Sequence, residues 1–136
     1  MTGLDITHMT DQAVWESFDL WGGPIMASHC VSRSVVPGQR HLTDDMIRRE
    51  AIYGMEGLVP HIERIADLAG GVTDNVAIGT DMDGGFGAEL TPTDVDTIAD
   101  LQGFPAVLEE AGIAAGDIEG ILHENALHFF RTAWSS

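Results

Sequence analysis

The chain reads as an α/β domain assembled from parallel βα units. Two observations carry this reading. Three short apolar runs, at residues 4–7, 24–28 and 76–80, alternate with segments whose apolar side chains recur at helical spacing. Each run is also followed directly by a side chain able to bind a metal or move a proton, namely His8, His29 and Asp81.

The first run, Leu4-Asp5-Ile6-Thr7, ends at His8, and Thr10 or Asp11 supplies an N-cap for a helix through Val14, Trp15, Phe18 and Leu20. Gly22 and Gly23 stop that helix. The run 24–28 then delivers His29. Residues 30–41 carry Ser, Pro, Gly and Arg without periodicity and read as a loop, closed by the cap signal Thr43-Asp44-Asp45 and a helix from Met46 to about Ala51. Leu58, Ile62, Ile65 and Leu68 mark the apolar face of the next helix, with Glu63, Arg64 and Asp67 opposite and Gly70-Gly71 as its stop. After the third run come Asp81-Met82-Asp83 and two glycines. The remainder is helical, over residues 93–101, 104–111, 117–122 and 124–134.

The length suits one domain over residues 1–136. Its net charge of −16 comes from 22 acidic residues against six basic ones, all Arg. Such a surface repels phosphate, which argues against nucleic acid as a partner and against anionic lipid. No run approaches the ~20 apolar residues of a membrane span, and the start of the chain lacks the pattern of a signal peptide. The single Cys30 demands no oxidising compartment, so a cytoplasmic location is expected.

Side chains at the ends of parallel strands converge on one mouth, the arrangement a (β/α)8 barrel uses to collect catalytic groups from several strands. This chain has material for about three such strands of the eight, a partial barrel. Neutral imidazole is a common zinc donor, and two on converging strand ends can share an ion. A lone strand-flanking His is more often hydrogen-bonded structure. Asp81 and Asp83 do not open a calcium loop, because the sixth and twelfth positions are Phe86 and Pro92 rather than Gly and an acid. Their alternatives are a catalytic carboxylate and a solvated turn. Arg40 could clamp a carboxylate bidentately or pair with Asp44 or Asp45. His61, His123 and His128 read as packing residues, and Cys30 as a buried small side chain.

Four ordered strings sharpen these alternatives: Asp5-Ile6-Thr7-His8-Met9-Thr10, Ala27-Ser28-His29, Arg40-His41-Leu42-Thr43-Asp44-Asp45 and Ile78-Gly79-Thr80-Asp81-Met82-Asp83-Gly84. Together they resemble the C-terminal half of the membrane dipeptidase (renal dipeptidase) family, from about residue 4 to about residue 134, including the closing segment Glu124-Asn125-Ala126-Leu127. The resemblance implies an amidohydrolase-type barrel that hydrolyses dipeptides with two zinc ions bridged by a carboxylate. It makes His8 and His29 ligands of one zinc, and Arg40 the group that engages the substrate carboxylate. Asp81 becomes the aspartate that contacts the substrate amino end and serves proton transfer.

The family's His-x-Asp motif and bridging Glu have no counterpart in the strings matched here, so ligands for only part of one site are expected. The stretch Ile52-Tyr53-Gly54-Met55-Glu56-Gly57 is too short for the family's strand and loop, which reads as an internal deletion. An open sheet edge and exposed apolar surface would then favour a homo-oligomer. The chain is accordingly expected to be a dipeptidase fragment inactive alone, with a non-catalytic or structural oligomeric remnant as the alternative.

Overall fold

The computed structural model describes residues 3–47, 52–54, 59–82, 84 and 95–135. In chain order these form β1 (Leu4–Asp5), α1 (Asp11–Leu20), β2 (Ile25–Ala27), α2 (Asp44–Ile47), β3 (Ile52–Gly54), α3 (Val59–Leu68) and β4 (Val76–Ala77). A 3-10 segment (Ile98–Gly103), α4 (Phe104–Glu110), α5 (Ala115–Glu119), a π segment (Gly120–Glu124) and α6 (Asn125–Trp134) follow. The strands make one parallel sheet in the order β1-β2-β3-β4, with Asp5 opposite Met26, Ala27 opposite Tyr53 and Gly54 opposite Ala77. All carboxyl ends therefore point the same way, as parallel βα units require.

The expectation of about three strands is corrected by β3. Its three residues suffice because two register pairs on each side satisfy a central strand, so the short stretch accommodates a strand even though it leaves little chain for a loop. Residues 48–51 and 55–58, where parts of two expected helices fall, lie outside the described residues.

The other strands are shorter than their apolar runs, for local reasons. The Asp5 carboxylate accepts the Thr7 backbone N–H at 3.0 Å, a side-chain bond that draws the chain into a turn and takes Thr7 out of the ladder. The Ile78 N–H donates to the Ile121 carbonyl at 3.2 Å, so the chain leaves the ladder after β4 and bonds to the π segment instead. Near residue 97 the Asp100 carboxylate accepts the N–H groups of Asp96 and Thr97; of the helix expected over 93–101, residues 93 and 94 lie outside the described residues, 95–97 are not helical, and a 3-10 turn begins at Ile98.

The helices follow their patterns. Thr10 caps α1, its hydroxyl accepting the Ala13 N–H at 3.3 Å. In α3, His61, Ile62 and Ile65 are buried and Glu63 and Asp67 are exposed; the helix runs out into Gly70 and Gly71, both at positive φ. The core joins Ile6, Val14, Ala27, Met46, Ile62 and Val76 to Leu108, Ile118 and Ile121 from the C-terminal helices.

Helix α6 runs along the amino ends of the strands. Asn125 donates to the carbonyls of Thr73 (2.9 Å) and Val76 (2.8 Å), at the entry to β4. At the other side, a Cβ on Gly3 would stand 3.0 Å from the Phe129 ring, so glycine lets Phe129 close against the entry to β1. The carboxyl ends are left to the loops that carry His8, His29 and Asp81. Large apolar side chains also reach solvent, Leu20, Ile98 and Trp134 most fully. Among the described residues, no helix is long and apolar enough to cross a membrane.

Candidate metal centre

His8 follows β1 in the turn at Thr7, and His29 stands two residues beyond β2. Asp81 stands four residues beyond β4 rather than at the strand end its sequence suggests. The structure nevertheless brings the three together. His8 Nε2 is 2.9 Å from His29 Nε2, and His29 Nε2 is 3.6 Å from Asp81 Oδ2. One ligand atom from each lies within 4.8 Å of the others.

Two of the three residues adopt backbone conformations that L side chains avoid. His8 has φ of 65° and Asp81 φ of 53°, the left-handed region usually left to glycine. A strained pair on two different loops, aimed at one point, is the kind of local cost associated with functional positions.

The donor set fits zinc. Two nitrogens about 2.0–2.1 Å from a tetrahedral zinc stand roughly 3.3 Å apart. The observed 2.9 Å between the imidazoles therefore needs an opening of a few tenths of an ångström, and the 3.6 Å from His29 to the carboxylate needs a slight closing. Two imidazoles and one carboxylate, with room for water, is a donor set found at catalytic zinc.

Behind His29 lies a polar network that the sequence reading missed. Ser28 Oγ is 2.8 Å from His29 Nδ1 and 2.6 Å from Asp5 Oδ2. Thr7 Oγ1 donates to Asp5 Oδ1 at 2.7 Å, and the His29 N–H donates to Thr7 Oγ1 at 3.4 Å. Burial pushes the Asp5 carboxyl up, but the bonds from Ser28 and Thr7 outweigh it and hold the group below the usual carboxylate range. The signal in the sequence is one small polar residue directly before each histidine, Thr7 and Ser28, which reads equally well as turn chemistry.

Arg40 lies in the loop after β2, where its Nη2 donates to the His29 carbonyl at 3.1 Å. It lines a cavity of about 660 Å³ together with His8, Thr10, Gln39 and Arg33, within the size range of small-molecule sites. Arg33, also unremarked in the sequence, fastens this wall. Its guanidinium takes Asp11 bidentately at 2.6 and 2.8 Å and donates to the carbonyls of Gln39 (3.0 Å) and His41 (2.8 Å). Asp44 pairs with Arg64, which ties α2 to α3. Asp83 and most of the glycine stretch after it lie outside the described residues.

Cys30 is buried, and desolvation pushes its thiol up, as suits a packing residue rather than a nucleophile. His61 is in the core as expected, whereas His123 and His128 are exposed, which corrects their reading as packing residues. His41 Nδ1 and His61 Nδ1 are buried without a hydrogen-bond partner among the described residues. Desolvation pushes both rings below the usual histidine range, with Arg40 adding to the effect on His41. The unfolded chain therefore binds protons at these histidines before the folded chain does. Stability of the metal-free chain is expected to fall as the pH drops through the histidine range of about 6.5. Urea midpoints between pH 8 and pH 5.5 check this, and the slope should flatten in His61→Leu.

No family model matches the chain. An uncharacterized protein encoded in the pqqA 5' region of Klebsiella pneumoniae is 23% identical over 157 residues, covering 96% of this chain and 55% of the relative. That alignment is longer than the 136 residues available, so the relative carries residues within the aligned span that this chain lacks. Dipeptidase tcpJ of Claviceps purpurea is 21% identical over 94% of this chain and 34% of its own length. Among solved structures, a metallo peptidase from Rhodobacter sphaeroides, liganded with a phosphinate mimic of the dipeptide L-Ala-D-Ala, superposes with a TM-score of 0.84 at 20% identity. It is matched over 96% of this chain and 42% of its own. A dipeptidase of metallopeptidase family M19 gives a TM-score of 0.85 at 20% identity, over 98% of this chain and 44% of its own. Identities this low establish the fold. The chain spans about a third to a half of the length of these proteins, which agrees with a partial barrel.

Proposed function

We propose that this chain, a relative of the membrane dipeptidase metallopeptidases, forms one side of a zinc site for dipeptide hydrolysis. The observation that carries the reading is the convergence of His8, His29 and Asp81 within 4.8 Å at the carboxyl ends of a parallel sheet. The ligand of the Rhodobacter sphaeroides metallopeptidase, a dipeptide mimic, supports the substrate class.

In this reading His8 and His29 hold the ion through Nε2. Bound zinc supplies Lewis acidity, making water a stronger nucleophile near neutral pH and polarising the scissile carbonyl. Arg40, on the wall of the neighbouring cavity, receives the substrate's terminal carboxylate and fixes the direction of binding. Asp81 faces His29 from β4's loop, where it can contact the substrate amino end and carry a proton to the leaving amine. The two imidazoles suit one ion, with Asp81 beside it left for the substrate; the family's second ion needs donors beyond those grouped here. Dipeptide turnover is thus expected to need completion by further chain, whereas zinc binding is not.

Calorimetric zinc titration of the 136-residue chain, followed by a hydrolysis assay with Ala-Ala and L-Ala-D-Ala, tests this. One zinc per chain, weakened in both His8→Ala and His29→Ala, with little or no turnover, is the expected result. Absence of zinc binding, or binding that His8→Ala leaves unchanged, would sink the metal assignment. Rapid turnover by the chain alone would overturn the need for completion.

A further inference from the structure

His29 is the more enclosed of the two candidate imidazole ligands, and its ring is held from behind by Ser28 and Asp5. Asp5 receives four hydrogen bonds. Oδ1 accepts the N–H groups of Thr7 (3.0 Å) and Ser28 (3.2 Å) and the Thr7 hydroxyl (2.7 Å), and Oδ2 accepts the Ser28 hydroxyl (2.6 Å). A carboxylate so surrounded acts only as an acceptor.

A serine hydroxyl has one proton to give. Ser28 gives its proton to Asp5, so toward His29 Nδ1, 2.8 Å away, its oxygen can only accept. Nδ1 must then carry the ring proton, which leaves the lone pair of the neutral imidazole on Nε2, the atom that faces His8 and Asp81. This is not a nucleophilic triad, because the serine proton points away from the imidazole and toward the carboxylate. The 2.9 Å contact between the two Nε2 atoms follows naturally in the metal-free chain, with His8 donating and His29 accepting.

We propose that Asp5, acting through Ser28, is a positioning residue that locks His29 in the Nδ1–H tautomer and so presents the Nε2 lone pair to the metal before any ion arrives. The proposal rests on the metal-site reading for its purpose, but the tautomer is a property of the metal-free chain. Outer-shell partners of this kind orient metal-binding histidines, and their loss typically lowers metal affinity about 10–100-fold.

Asp5→Asn is the discriminating variant. The amide oxygen can keep the bonds at the Oδ1 position, while the new NH₂ donates to Ser28 Oγ and turns the serine proton toward His29 Nδ1. The ring proton is then driven to Nε2. Long-range ¹H–¹⁵N spectra of the metal-free chain, with His29 assigned by its absence in His29→Gln, report the tautomer directly. The expected result is Nδ1–H in the parent and in Thr7→Val, Nε2–H in Asp5→Asn, and loss of the single tautomer in Ser28→Ala. Zinc affinity should fall about 10–100-fold in Asp5→Asn.

Nε2–H at His29 in the parent chain, or an unchanged tautomer in both Asp5→Asn and Ser28→Ala, would overturn the proposal even where Asp5→Asn folds poorly. A tautomer that switches as expected in a chain that binds no zinc would uphold the relay while removing the metal reading. The two failures are thereby distinct.

Discussion

His29→Ala is expected to weaken zinc binding by more than 100-fold, beyond the ~10–100-fold typical of outer-shell changes, while the metal-free chain stays folded. His29 holds the central place in the cluster, since its Nε2 faces both His8 and Asp81. Its ring is also the one that Ser28 orients. His8 is exposed, so His8→Ala leaves an oriented imidazole and a carboxylate behind and should cost less affinity than His29→Ala. Titration of both variants checks the order, and equal losses would argue that the two rings are equivalent. Removing the His29 side chain takes nothing from the apolar core, so urea midpoints measured with chelator should shift little.

The backbone at the same site points to a conflict between stability and binding. His8 and Asp81 both stand at positive φ, a conformation that costs an L residue roughly 1–2 kcal/mol. A chain selected for stability alone would place glycine there. Two of the three converging residues carry this cost, on separate loops, the kind of local strain that clusters at functional positions.

Much of this site was legible because catalytic barrels place reactive side chains where strands end, and His8 and His29 each follow an apolar run directly. What was not legible depends on distance in the chain. Asp5 and Ser28 are 23 residues apart and meet only because Asp5 lies opposite Met26 in the β1–β2 register. A sequence without a known register leaves them as ordinary polar residues beside strands. Strand β3 was hidden by its brevity, since Ile52-Tyr53-Gly54 is too short to show a period. The misreading of His123 and His128 has a different cause. The buried Ile118, Ile121, Phe129 and Ala133 keep one helical face through the π segment Gly120–Glu124, and both histidines lie off that face, a spacing their reading did not weigh.

Ile121→Ala is expected to destabilise the chain by about 2–5 kcal/mol, a large share of the ~5–15 kcal/mol available to a typical domain. Ile121 is fully buried in the π segment and belongs to the core cluster with Val76, Leu108 and Ile118. Truncation would remove three carbons from a close-packed position and leave a cavity between the sheet and the C-terminal helices. The carbonyl of the same residue accepts the Ile78 N–H at 3.2 Å, at the turn-off from β4 toward Asp81. The variant should therefore loosen the Asp81 loop as well as the core. Urea unfolding at an unchanged m-value would report the first effect and weakened zinc binding the second. Leu20→Ala, at a side chain 83% exposed, should stay within about 0.5 kcal/mol of the parent. An Ile121→Ala midpoint no lower than that of Leu20→Ala would mean that the C-terminal helices contribute little to holding the sheet.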